Sequence, residues 1–220
     1  MELIIGNQNY SSWSLRPWLL LSHFDIPFIE NKIFLFEDTT RQYLAELSPT
    51  CKVPALIDNI NGAEITIWDS LSICEYISET HLSGKGLPID KIDRAICRSY
   101  CAEMHSGFTY IRNKLPMNCR ATRKVDLCKQ TLKEIHRIDG MWQDALNRHE
   151  GKWLFGEFSI ADCMFAPIAS RFATYQIEVS DSSQEYINNI LTLPSMLRWY
   201  EAALNEQQVI GEDEAGTDVD

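Results

Sequence analysis

The hydrophobic pattern changes character once along this chain, and that change limits what the chain can fold into. Up to about residue 82, short apolar runs of strand length alternate with helix-spaced segments; beyond a cluster of Gly84, Gly86 and Pro88, every strong pattern is helical. Such a chain calls for two units, a mixed sheet covered by helices and then an all-helical part. At 220 residues it has enough length to bury a core in both.

Within the first unit, Met1 to Gly6 reads as a short buried strand, the polar segment Asn7 to Ser14 as a loop, and Leu15 to Phe24 as a helix with Pro17 in its first turn. Phe28 to Phe36 reads as a second strand and Thr39 to Leu47 as a second helix. Val53 to Ile57 and Glu64 to Trp68 then form a hairpin about the polar turn 58–62, and a third helix runs from Ser70 to about Thr80. The order βαβαββα resembles the thioredoxin-like fold. We therefore expect an α/β thioredoxin-like domain over residues 1–82, a linker at 83–89 and an all-α domain over 90–210. In the latter, 90–115 and 124–148 read as long amphipathic helices, 159–175 as a third, and 184–205 as a fourth, bent at Pro194. The acidic segment 211–220 reads as a disordered tail.

Composition narrows the partners. The net charge of -11 argues against a nucleic-acid surface, which needs clustered Lys and Arg. Met1 to Gly6 carries no secretory pattern, and no apolar run approaches the length of a membrane span. Seven cysteines without a C-x-x-C pair suit reduced thiols in a cytoplasmic protein better than a disulfide framework. Small molecules are the expected ligands.

Three loops carry residue types suited to binding a thiol peptide. Tyr10, Ser11, Ser12 and Ser14 gather where the amides of the first helix point outward, a place that favours an anion. One serine there is also an ordinary helix cap. In Lys52-Val53-Pro54, a proline opens a strand; if its peptide is cis, the Val53 main chain faces outward, able to pair with an extended peptide. Asp69-Ser70 ends a strand and starts a helix, and can cap it or hold the charged end of a glutamyl group.

Taken in order, these motifs resemble the cytosolic glutathione transferase superfamily: V-P before the third strand, an acidic residue and serine before the third helix, then a helical half. Ser11-Ser12-Trp13-Ser14-Leu15-Arg16 is similar to the S-S-C-x-x-R signature of the zeta class, with Trp13 in place of cysteine. The resemblance implies glutathione as co-substrate, with Ser11 at its sulfur, Tyr10, Ser12 and Trp13 around it, Lys52, Val53 and Pro54 along its backbone, and Asp69 and Ser70 at its glutamyl end. It implies a homodimer that conjugates glutathione to a small, largely apolar electrophile. Isomerisation, disulfide reduction and noncatalytic binding are the alternatives.

Three further groups need a reading. His105 and Arg112 could reach an acidic substrate from the long helix that lines the substrate side in this family. Cys97, Cys101 and His105 stack along one helical face and do not by themselves surround a metal ion, so no metal is expected. Ser159-Ile160-Ala161-Asp162 is a capping box, a folding feature.

Overall fold

The computed structural model describes residues 1–219, with every side chain except those of Asp38, Thr39 and Arg41. The first half is a four-stranded sheet in the order β2-β1-β3-β4. Central β1 (Glu2–Ile5) runs parallel to β2 (Ile29–Lys32) and antiparallel to β3 (Ala55–Ile60), which forms a hairpin with β4 (Ala63–Trp68). Leu3, Ile4 and Ile5 are fully buried, as a strand covered on both faces requires. The hairpin turn is Asn61-Gly62, tighter than the expected 58–62, and both residues have the positive φ that two-residue loops of this kind need. β2 stops at Lys32 instead of Phe36, because its partner β1 is only four residues long and offers no further ladder.

Helices α1 (Ser12–His23), α2 (Asp38–Leu47) and α3 (Ser70–His81) complete this half. α1 begins before the expected Leu15 because Ser11 caps it, accepting the Ser14 N–H at 3.4 Å. Pro17 therefore lies inside the helix, where its missing N–H leaves the Trp13 carbonyl without the usual partner.

The second half contains α4 (Lys91–Ser106), α5 (Thr109–Lys114), α6 (Lys129–Arg148), α7 (Ile160–Thr174), α8 (Asp181–Leu191) and α9 (Pro194–Leu204). The single helix expected over 90–115 is broken, since Phe108 adopts a left-handed conformation (φ 59°) after Gly107. Pro194 does not bend one helix but starts a new one, in the first turn where a proline costs nothing. Leu82 to Asp90 connects the halves but does not hang free: the Gly86 carbonyl accepts the Ile160 N–H at 2.8 Å.

α7 is the centre of the core. Every residue in it except Ala173 is buried, and α1, α3, α4 and α8 pack around it. Its N-terminus is set by the capping box: the Asp162 carboxylate accepts the Ser159 N–H (2.8 Å) and hydroxyl (3.0 Å), the Leu154 N–H (3.2 Å) and the Tyr186 hydroxyl (3.0 Å). One apolar cluster runs from Leu3 and Leu19 through Met164 to Trp199, joining the two halves.

The expectation of a disordered tail is overturned. Residues 211–213 form a 3-10 turn, and Thr217–Asp218 pair as β6 with β5 (Arg123–Lys124). Acidity suggested solvation, but Arg123 pairs with both Glu214 and Asp218, and Glu214 also accepts from Tyr10 and Asn118. Only Asp220 of this segment lies outside the described residues. All seven cysteines are free; Cys51 is exposed and Cys128 half-buried, the others buried. No helix among the described residues is long and apolar enough to cross a membrane.

Candidate active site

Three loops of the first half meet at a cavity of about 300 Å³. Trp13 reaches it from the first turn of α1, Lys52, Val53 and Pro54 from the approach to β3, and Asp69 and Ser70 from the β4–α3 turn; Thr50 and Trp68, not singled out in the sequence, also line it. The Val53–Pro54 peptide is cis, and among the described residues none of the turn, loop and cap hydrogen bonds uses the Val53 main chain, which leaves its N–H and C=O for a ligand. A larger hollow of about 920 Å³ lies elsewhere, between Lys114, His136, Tyr175 and Gly216, away from all three motifs.

Capping and binding turn out not to compete at Asp69. Its Oδ1 caps α3 through the Leu71 (2.9 Å) and Ser72 (3.1 Å) N–H groups, while Oδ2 meets His105 Nε2 at 3.1 Å. The residue takes a positive φ of 75°, strained for a non-glycine, and this aims the carboxylate at the cavity rim. Ser70 accepts from Arg16 Nη1 at 3.2 Å, so its own proton is free to donate.

The hydroxyl cluster divides. Tyr10 does not face the cavity, contrary to expectation: its hydroxyl donates to Glu214 and accepts from Arg120 Nη2 (2.8 Å), because the folded tail passes over it. Ser11 is buried and donates to Ser14 Oγ at 2.7 Å; Ser14 in turn accepts the Gly6 N–H. Ser12 accepts from Arg171 Nη2 at 3.0 Å, and its proton has no acceptor among the described residues. Neither serine is among the residues lining the cavity, although the two immediately precede Trp13, which is.

Beneath Trp13 gathers a cluster of which the sequence reading named His105, Arg112 and Arg16 separately but not Arg171. Arg16 and Arg112 place their guanidinium carbons 4.3 and 4.7 Å from the Trp13 ring centroid, and the His105 ring meets its edge at 5.3 Å. Arg171, from α7, donates to the Leu115 carbonyl at 2.8 Å as well as to Ser12. Arg112 is held by the carbonyls of Gly107 (3.0 Å), His105 (3.3 Å) and Met104. Among the described residues none of these arginines is within salt-bridge distance of a carboxylate. Burial pushes Arg16 down to about 9 and Arg171 down to about 10, with Arg112 adding repulsion to each. All the same, both stay charged at neutral pH. The same burial, and the arginines beside it, hold the His105 imidazole below its usual range against the pull of Asp69. The result is a positive field behind the Trp13 side of the cavity, fit for an anion. One signal could have found Arg171: it is a lone cation in the apolar helix Ile160–Thr174. No cluster of metal-binding side chains occurs among the described residues.

Residues 10–80 match the family model described as the glutathione S-transferase N-terminal domain. Maleylacetoacetate isomerases from Rattus norvegicus and Mus musculus are each 30% identical to this chain over 173 residues, 77% of it and 76% of theirs. Among solved structures, a glutathione transferase homolog from Burkholderia with bound glutathione superposes with a TM-score of 0.71 at 20% identity, covering 93% of this chain and 98% of that one.

Proposed function

Since the chain belongs to the glutathione S-transferase superfamily, as a zeta-like member, we propose that it uses the thiolate of bound glutathione to isomerise a small, acidic, unsaturated substrate. Glutathione lies in the cavity at the three loops, its cysteinyl main chain paired with Val53 and its glutamyl end at Asp69 and Ser70. The thiol then points to the N-terminus of α1 and the Ser11–Ser12 pair.

A free thiol of this kind has a pKa of about 8.5, and lowering it by roughly two units takes about 2.7 kcal/mol of selective thiolate stabilisation. Ser11 supplies a hydrogen bond once its hydroxyl turns from Ser14, with Ser14 then able to donate to it. Ser12 is the second candidate, favoured by its free proton and by the Arg171 contact, which makes that hydroxyl a stronger donor.

The observation that carries the substrate class is the trio of buried Arg16 and Arg171 and half-buried Arg112, without a salt-bridged carboxylate among the described residues; it displaces the expected apolar electrophile in favour of an acid. The thiolate adds to an alkene conjugated to a carbonyl, forming the C–S bond as the π electrons move onto the carbonyl oxygen. Rotation about the former double bond and expulsion of the thiolate return the trans alkene, with no net proton transfer. Protonation of the same enolate carbon gives a stable conjugate instead. The named activity of the rat and mouse relatives favours isomerisation. A homodimer belongs to this proposal and is checked by sedimentation mass.

The test is turnover of a cis-configured unsaturated keto diacid, of the maleylacetoacetate type, with glutathione far below substrate. An isomerase converts all of it and leaves free thiol unchanged; a conjugating transferase stops when glutathione is spent. If calorimetry detects no glutathione binding, both readings fail.

A further inference from the structure

The first half grips the loop that carries the candidate serines only by the Asn7 and Gln8 side chains, through Leu35 N–H to Asn7 Oδ1 (2.9 Å) and Lys32 to Gln8 Oε1 (3.2 Å), and does not hold the Gln8 and Asn9 main-chain amides. Between β1 and α1, its local bonds are short-range, Ser11 N–H to Asn7 C=O (2.8 Å) and Ser12 N–H to Tyr10 C=O (2.9 Å). These shape the turn but do not place it against the cavity. Placement comes from the opposite end of the chain. The carboxylate of Glu206, just past α9, accepts the Gln8 N–H at 2.7 Å and the Asn9 N–H at 3.0 Å, one on each oxygen, and is 5% exposed. Lys32 joins it at 3.3 Å.

The neighbouring residues repeat the arrangement. Gln208 bonds the Asn7 side chain and the Leu35 carbonyl (3.1 Å). Arg120 reaches the Glu206 and Gln208 carbonyls and the Tyr10 hydroxyl, while Glu214 takes the Tyr10 proton. Each of Asn7, Gln8, Asn9 and Tyr10 is buried, and each is bonded to residues that lie over a hundred positions away in sequence. An ionised acceptor on two main-chain donors is among the stronger ways to fix a loop.

We propose that Glu206 is a positioning residue for thiol activation: by clamping the Gln8 and Asn9 amides it sets where the Ser11–Ser12 hydroxyls meet the glutathione sulfur. This rests on the reading that the thiol lies at that pair. Misplacement of a donor by about an ångström is enough to cost a hundredfold in such sites, so a clamp of this kind acts on chemistry more than on fold.

The experiment compares Glu206→Ala, Glu206→Asp and Ser11→Ala/Ser12→Ala, with Asp218→Asn as a control at the tail tip. The readouts are hydrogen exchange over residues 7–14, the glutathione dissociation constant, and the pKa of the bound thiol by ultraviolet titration. Glu206→Ala is expected to speed exchange in 7–14 and to lower the thiolate fraction at fixed pH about tenfold, one pKa unit. The dissociation constant should move far less. Glu206→Asp, with the charge kept but the reach shortened, falls between, and carries the test if the alanine variant does not fold. Asp218→Asn changes nothing at the thiol. An unchanged thiol pKa in both Glu206 variants overturns the proposal, and so does unchanged exchange in 7–14. If the Glu206 variants shift the pKa while the double serine variant does not, the serine reading falls, which overturns the proposal that the clamp acts through those hydroxyls.

Discussion

Arg171→Met separates the fold from the proposed chemistry. Arg171 is 5% exposed, with one Nη on the Leu115 carbonyl (2.8 Å), the other on Ser12 (3.0 Å), and a buried Nε without a partner. Its removal leaves that carbonyl short of a donor, a cost of about 1–3 kcal/mol. The Ser12 hydroxyl can reorient. Against this, methionine removes a buried charge whose desolvation costs several kcal/mol and that no salt bridge among the described residues offsets, Asp213 attracting it only from beyond that distance. The two effects oppose each other, so net stability should stay within about 2 kcal/mol of the parent. For the reaction, loss of one charge-assisted hydrogen bond, about 1.5–3 kcal/mol, raises KM for an acidic substrate roughly 10- to 150-fold. The assay is steady-state isomerisation of an unsaturated keto acid beside its methyl ester, each at saturating glutathione, with a thermal melt in parallel. The acid should lose most of its advantage over the ester. Equal losses for both, or none, would refute an anion-recognising role for the arginine cluster.

Two other outcomes follow from the described geometry. Asp58 lies on β3 with the Tyr76 hydroxyl at 2.8 Å and His81 Nε2 at 2.7 Å; burial pushes its pKa up, but these bonds and the Asn59 N–H outweigh burial and hold it below the usual range. Its contribution to stability is thus present above the unfolded carboxylate pKa and lost as pH falls through the folded value, so Asp58→Asn should flatten the acid limb of a stability-against-pH curve measured by urea unfolding. A parent-like acid limb in the variant would count against this. In a brief exposure to a thiol-reactive probe, Cys51 and Cys128 should label first. Cys51 is exposed, and Cys128 caps α6, where Thr131 and the helix amides lower its pKa. Peptide mapping that finds Cys74, Cys97 or Cys163 modified as quickly would show that the core opens readily.

What could be read in the sequence is what short-range chemistry specifies. The hairpin, the start of α3 at Asp69, the capping box at Ser159 and Asp162, and the strand-opening Val53-Pro54 depend on residues within about five positions of one another, and their turn and cap types reveal them. The two-part architecture followed from a change of period. Segment ends were less legible where a partner decides them: β2 is cut short by the length of β1, and 90–115 is broken by one left-handed residue. The site divides along the same line. The motifs announced Trp13, Val53, Pro54, Asp69 and Ser70 at one cavity, but only the tertiary structure turned Tyr10 away, set Arg171 against Ser12, and placed the Glu206 carboxylate on the Gln8 and Asn9 amides. Those bonds join residues more than 150 positions apart. No local period encodes such a pairing, so only the folded chain brings the segment just past α9, and Glu214 of the acidic tail, onto the loop that carries the candidate serines.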